Sequence, residues 1–76
     1  MAFNLSTSAE ILHALGVRLR EQRLAQSLTQ RELAQMAGLS LGALRKLESD
    51  GQCSLETLVR VAQALGLLEV YYHKLL

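Results

Sequence analysis

Arg45 and Lys46 stand side by side in Leu41-Gly42-Ala43-Leu44-Arg45-Lys46-Leu47-Glu48. Two neighbouring cations on one helix suit phosphate oxygens or the acceptor edge of guanine. The other reactive residue types form no comparable group. His13 and His73 lie far apart without HxxxH spacing, and Cys53 is the only cysteine. Neither a zinc site nor a disulfide is therefore expected, and these three read as two surface histidines and a loop thiol. Asp50, Glu56 and Glu69 are separated acids, read as capping or solvated residues. The chain has no Gly-rich phosphate loop and no nucleophile–base pair, and its 76 residues leave no volume for a substantial cleft. The reading is that of a non-enzyme without metal or cofactor.

Eight Lys and Arg against seven Asp and Glu leave a net charge of +1. A nucleic-acid partner is thus not announced by bulk charge and must be argued from where the cations sit. No apolar run approaches the roughly 18 residues of a membrane span. Met1-Ala2-Phe3-Asn4-Leu5 lacks the basic stretch and apolar core of a secretory signal. With a free thiol, these features give a cytoplasmic, non-membrane expectation. The length fits one domain over residues 1–76. A chain this short buries only about 60% of its unfolded surface, so stability must come from helix packing, extended across a dimer interface.

The elements that carry these residues read as helices. Proline is absent, and Leu, Ala, Glu, Gln and Arg, all good helix formers, dominate. The first helix is expected over about Ser8 to Ala25, with Ile11, Leu12, Leu15 and Leu19 on one face. Arg23 follows on that face, and Gly16 marks either a kink or the close approach of another helix. Thr29-Gln30-Arg31-Glu32 is a capping box that starts a second helix. Its inner face is Leu33, Ala34 and Ala37, and Gly38 ends it. Ser40 caps a third helix after the tight turn Ala37-Gly38-Leu39, so the two helices must cross at a large angle. Leu44 and Leu47 point inward, and Asp50-Gly51 closes this helix. Ser54 caps a fourth, with Leu55, Leu58, Val59, Ala62 and Leu65 as its apolar pattern and Gly66 as its stop. A fifth is expected over Leu68 to Leu76. The fold class is all-α: a compact five-helix domain with a crossed helix pair at about 29–48.

Leu28 to Gly51 reads LTQRELAQMAGLSLGALRKLESDG. This stretch resembles the helix-turn-helix family of phage repressors and Cro proteins, also called the XRE family. The resemblance rests on the capped Thr-Gln pair, Glu-Leu-Ala, Ala-Gly-Leu-Ser at the turn, and Leu47-Glu48. It continues through Ser54-Leu55-Glu56-Thr57-Leu58 and Ala62-Gln63-Ala64-Leu65-Gly66, covering about residues 15 to 68. It implies a phage-repressor-like fold that binds double-stranded DNA, with the third helix in the major groove and the second across the backbone. The DNA-facing set is then Thr29, Gln30, Arg31, Ser40, Leu41, Gly42, Ala43, Arg45, Lys46 and Ser49. The resemblance gives Gln30 a phosphate contact and a brace on the third helix. Arg31 either reaches the phosphate rail or is solvated. Arg23 and Glu48, each a charge on an apolar face, are expected to meet as a partly buried ion pair with a structural role.

The family usually places polar base readers where this chain has Leu41, Gly42 and Ala43. Leu41 and Ala43 can touch thymine methyls, and Gly42 permits close backbone approach. Direct readout then falls to Ser40, Arg45 and Lys46. Asp50 adds negative charge near the expected phosphate, where Ser49, Gln52 and the first amides of the fourth helix can still donate.

Leu67, Leu68, Val70, Tyr71, Tyr72, Leu75 and Leu76 exceed what one small core needs. This C-terminal segment over 68–76, or the N-terminal extension over 1–14 around Phe3, Leu5 and Ile11, is expected to form a homodimer interface. Three functions follow. The first is a sequence-specific transcriptional regulator acting as a repressor. The second is an antitoxin that binds a toxin protein and autoregulates its operon. The third is a protein-interaction adaptor that has lost DNA binding.

Overall fold

The computed structural model describes residues 7–68. Four helices, and no strand, occur among the described residues: α1 (Ser8–Ala25), α2 (Gln30–Ala37), α3 (Leu41–Asp50) and α4 (Leu55–Ala64). The fifth segment lies outside the described residues from Glu69 onward, as do Phe3 and Leu5.

Each helix begins on a hydroxyl residue whose oxygen accepts the amide three positions on, satisfying a donor the helix leaves open. Thr29, Ser40 and Ser54 fill this role for α2, α3 and α4. The cap of α1 is Thr7, which with Glu10 forms a full capping box; the signature Thr7-Ser8-Ala9-Glu10 was overlooked in the sequence. In the second capping box, hydrogen bonds from the Thr29 amide, and secondarily from its side chain, hold the Glu32 carboxyl below its ordinary value. A depressed value means that this cap contributes above the unfolded-state carboxylate pKa and is lost as pH falls through the folded one.

α1 lies across α3, and α2 packs on both α3 and α4. The core is Leu19 from α1, Leu33, Ala34 and Ala37 from α2, Leu44 and Leu47 from α3, and Val61 and Leu65 from and just after α4. Fully burying a Leu or Val contributes about 1.5–3 kcal/mol. Leu33, Leu44, Leu47 and Val61 are therefore the main apolar anchors.

Two helix faces differ from the sequence expectation. Ile11 and Leu12 are exposed, at 50% and 41%. The reason lies at Gly16 and Gly51. A Cβ on Gly16 would meet the Leu47 carbonyl oxygen at 2.3 Å, so α1 touches the last turns of α3 backbone to backbone. Of the two readings left open for Gly16, close approach is the one adopted. α3 ends there, with Gly51 against the Leu12 backbone. The turns of α1 before Leu15 have no described helix over Ile11 and Leu12. On α4, Leu55 and Val59 face solvent, while Val61, absent from the expected pattern, is fully buried. The inner face is Leu58, Val61, Ala62 and Leu65, a complete i, i+3, i+4, i+7 stripe. Leu58, Ala62 and Leu65 of the expected pattern thus face inward, while Leu55 and Val59 lie on its flank.

Candidate nucleic-acid interface

α2 and α3 are joined by a minimal turn. Gly38 takes φ 70°, ψ 36°, a left-handed conformation that favours glycine. The Leu39 amide then reaches back to the Ala34 carbonyl at 2.8 Å. Ser40 immediately caps α3, its Oγ accepting from the Ala43 amide at 3.1 Å. From α4, Arg60 Nη1 donates to the Gly38 carbonyl at 3.4 Å and Nη2 pairs with Glu56 at 2.9 Å. This tie across the turn was missed in the sequence, where Glu56 was read alone; only its i, i+4 spacing to Arg60 signalled it.

With Leu44, Leu47 and Glu48 buried, the opposite side of α3 faces out. Gly42, Arg45, Lys46 and Ser49 are exposed there, and Leu41 and Ala43 are half-buried beside them. Arg31 and Thr29 are exposed, and Gln30 half-buried, at the neighbouring start of α2. The cationic pair and the start of α2 thus lie together, joined directly by Arg45 Nε donating to Gln30 Oε1 at 3.4 Å. Thr29 and Ser40 spend oxygen lone pairs on capping; their hydroxyl protons can still be donated outward. Ser49 Oγ lies 3.4 Å from the Lys46 carbonyl, an internal contact the sequence did not suggest.

Beneath this face lies a buried ion pair. Arg23 Nε donates to Glu48 Oε2 at 2.8 Å and Nη2 to Oε1 at 3.0 Å. Only 7% and 2% of the two side chains are exposed. Arg23 Nη1 also donates to the Leu28 carbonyl at 2.8 Å, and Gln30 Nε2 donates to Glu48 Oε1 at 3.1 Å. The pair therefore fastens α1, the α1–α2 turn and α3 together. The fork geometry needs an arginine, because lysine offers a single point charge.

A groove beside α3 is lined by Ala43, Lys46, Gln52, Cys53, Ser54 and Thr57. It brings Gln52 and the start of α4 to the same side as Lys46. Cys53 is exposed, yet the protein around its sulfur pushes the thiol above its ordinary value, against a smaller opposing effect of the Leu58 backbone. At neutral pH it is a thiol, not a nucleophilic thiolate. His13, read as an ordinary surface residue, has Nδ1 2.8 Å from the Ser49 carbonyl. A carbonyl only accepts, so Nδ1 carries the proton, and His13 covers one of the last open carbonyls of α3.

The described residues contain no group of three or more His, Cys, Asp or Glu able to hold a metal ion. No helix among them is long and apolar enough to cross a membrane. No curated protein matches the chain. The Helix-turn-helix family model (HTH_3) matches residues 19–72, which takes in the Arg23–Glu48 pair, the α2–α3 turn and all of α4. Membership implies DNA binding, in a family that is typically non-enzymatic. The chain belongs to the helix-turn-helix family of the XRE, Cro/C1 type.

Proposed function

We propose that this protein is a sequence-specific transcriptional repressor that binds double-stranded DNA through the outward face of α3. The observation that carries the reading is the exposed strip Gly42, Arg45, Lys46 and Ser49 beside the start of α2. Leu41, Ala43 and Gly42 would enter the major groove, the first two against thymine methyls. Thr29, Gln30, Arg31 and Ser40 would meet the backbone, and Arg45 and Lys46 the bases or phosphates. Repression needs no more than occupancy of a promoter, and no activation segment is needed to explain the residues described. A homodimer would engage two half-sites about 34 Å apart. Ile11 and Leu12, exposed together on the first turns of α1, are the apolar residues such a dimer would cover.

The test is fluorescence anisotropy with duplex DNA selected from a random pool, over a salt series. Binding is expected to weaken steeply as salt rises, because displaced phosphate counterions drive it. Lys46→Ala is expected to lower the slope of log affinity against log salt by about 1. Salt-independent binding, or none, would remove this reading and leave the adaptor.

Gly42 gives a second prediction, with two effects of opposite sign. A Cβ at Gly42 meets nothing within 4 Å, so packing does not require glycine here. Gly42→Ala is expected to stabilise the fold by about 0.4–1 kcal/mol through the unfolded state. On the DNA the added methyl would hold α3 away from the groove floor, and affinity is expected to fall at least about fivefold, as for an overfilled contact. A higher melting temperature with unchanged affinity would place Gly42 outside the interface.

A further inference from the structure

We propose that α1 also takes part in the DNA interface, with Arg20 holding a backbone phosphate on the strand met by the start of α2. The inference rests on the DNA-binding reading above and deepens it with a contact from a helix outside the crossed pair.

His13, Val17, Arg20 and Leu24 recur at i, i+4, i+7 and i+11, which places them along one side of α1. All four are exposed. Two contacts fix which side this is. At its start, His13 Nδ1 lies 2.8 Å from the Ser49 carbonyl in the last turn of α3. Beyond its end, the chain turns into Thr29 and Gln30, where Arg45 Nε donates to Gln30 Oε1 at 3.4 Å. Arg45 and Ser49 stand one turn apart on the exposed strip of α3. The side of α1 that carries Arg20 therefore borders that strip, between its two tied ends. One turn before Arg20, Gly16 brings the two helices together backbone to backbone at the Leu47 carbonyl. With no side-chain layer between them there, the edge of α1 sits close beside the outward face of α3.

The charges on α1 are sorted by side. Residues three and four places from Arg20 are Gly16, Val17, Arg23 and Leu24, so no carboxylate is within helical reach. Arg23 is committed to Glu48, and Arg20 makes no ion pair among the described residues. Arg60 is the contrast, with Glu56 four residues before it and paired to it. The acids of α1, Glu10 and Glu21, lie about a quarter turn round the helix from Arg20. An exposed guanidinium without an internal anion keeps its fork of donors for an external one, and phosphate matches that fork. A DNA strand carries a charge roughly every 3.4 Å of helix axis. A strand that meets the start of α2 thus continues past a cation on the neighbouring edge of α1.

The experiment measures affinity for the selected duplex over a salt series, using wild type, Arg20→Ala, Arg20→Lys, Arg18→Ala and Lys46→Ala. Alanine and lysine are good helix formers, and thermal melts check that each variant folds. Arg20→Ala is expected to lower the slope of log affinity against log salt by about 1. At 0.1 M salt it should weaken binding roughly five- to tenfold, equally for duplexes changed at single base pairs. Arg20→Lys keeps the charge and should keep the slope. Arg18 is exposed on the opposite side of α1, so Arg18→Ala removes the same charge and should change neither quantity. Duplexes carrying one neutral methylphosphonate at a time should reveal a position that weakens wild type but not Arg20→Ala. Equal losses from Arg18→Ala and Arg20→Ala would reduce the effect to net charge and overturn the contact. An unchanged slope in Arg20→Ala, or no methylphosphonate position that separates it from wild type, would overturn it too. In each case a lowered slope in Lys46→Ala leaves the DNA reading standing. Absence of wild-type binding to any duplex overturns that reading and this inference with it.

Discussion

Glu48→Ala is expected to lower the thermal midpoint by at least about 12 °C, or to leave the chain unfolded at room temperature. Truncation removes the partner of Arg23 Nε and Nη2 and leaves a guanidinium 6% exposed with only the Leu28 carbonyl to meet it. Breaking a buried pair from one side costs about 3–5 kcal/mol, because the remaining charge stays desolvated. A domain of this size has a total of about 4–11 kcal/mol, and each kcal/mol moves its midpoint by about 4–8 °C. The loss is mostly that of an orphaned charge, so Arg23→Leu combined with Glu48→Leu should regain most of it. A Glu48→Ala melt within about 2 °C of wild type would show that Arg23 finds water or another acceptor, and would remove the pair from its fastening role.

Gly51→Ala is expected to destabilise by about 2–5 kcal/mol. Gly51 ends α3 at φ 72°, ψ 10°, where a side chain costs about 1–2 kcal/mol. A Cβ there would also fall 1.8 Å from the Leu12 carbonyl oxygen and 2.2 Å from its carbon. Those are backbone atoms of a helix, which cannot swing aside, so α1 and α3 must part, at a further cost of about 1–3 kcal/mol. The other left-handed glycines supply the control. Gly66, at φ 77°, has open space around it, and Gly38, at φ 70°, meets only the tip of Arg60 at 3.2 Å. Gly66→Ala should therefore show the conformational cost alone, with Gly38→Ala close to it. Chemical denaturation in which Gly51→Ala is no worse than Gly66→Ala would reject the tight α1–α3 contact.

These two sites show where sequence reasoning reaches and where it stops. Arg23 and Glu48 were conspicuous because each put a charge on an apolar stripe, and a charge there needs a partner. The starts of α2, α3 and α4 were legible in Thr29, Ser40 and Ser54, since capping is a local matter of one hydroxyl and a nearby amide. The same rule pointed to Thr7 and went unused. Which apolar residues are covered is not local. Ile11, Leu12, Leu55 and Val59 lie at helical spacing, but spacing does not say where a neighbouring helix ends. Leu58, Ala62 and Leu65 were placed inward as found, but a pattern begun at Leu55 took in the flanking Val59 instead of Val61. The contact of Gly51 with Leu12 could not be read at all, because a glycine at a helix end is explained well enough by its own turn. On the candidate interface, Arg45 and Lys46 were visible as neighbours. The hydrogen bonds of Gln30 to Arg45 and Glu48 depend on how three helices cross, which only the assembled fold supplies.

The most direct measurement of the central claim is the amide NMR spectrum of the folded protein, followed during titration with duplex DNA at low salt. Signals from residues 29–31 and 40–49 are expected to move together in proportion to bound duplex, while those of the exposed first turns of α1 stay in place. Perturbation confined to α1 or α4, with the amides of α3 unmoved by saturating duplex, would contradict it.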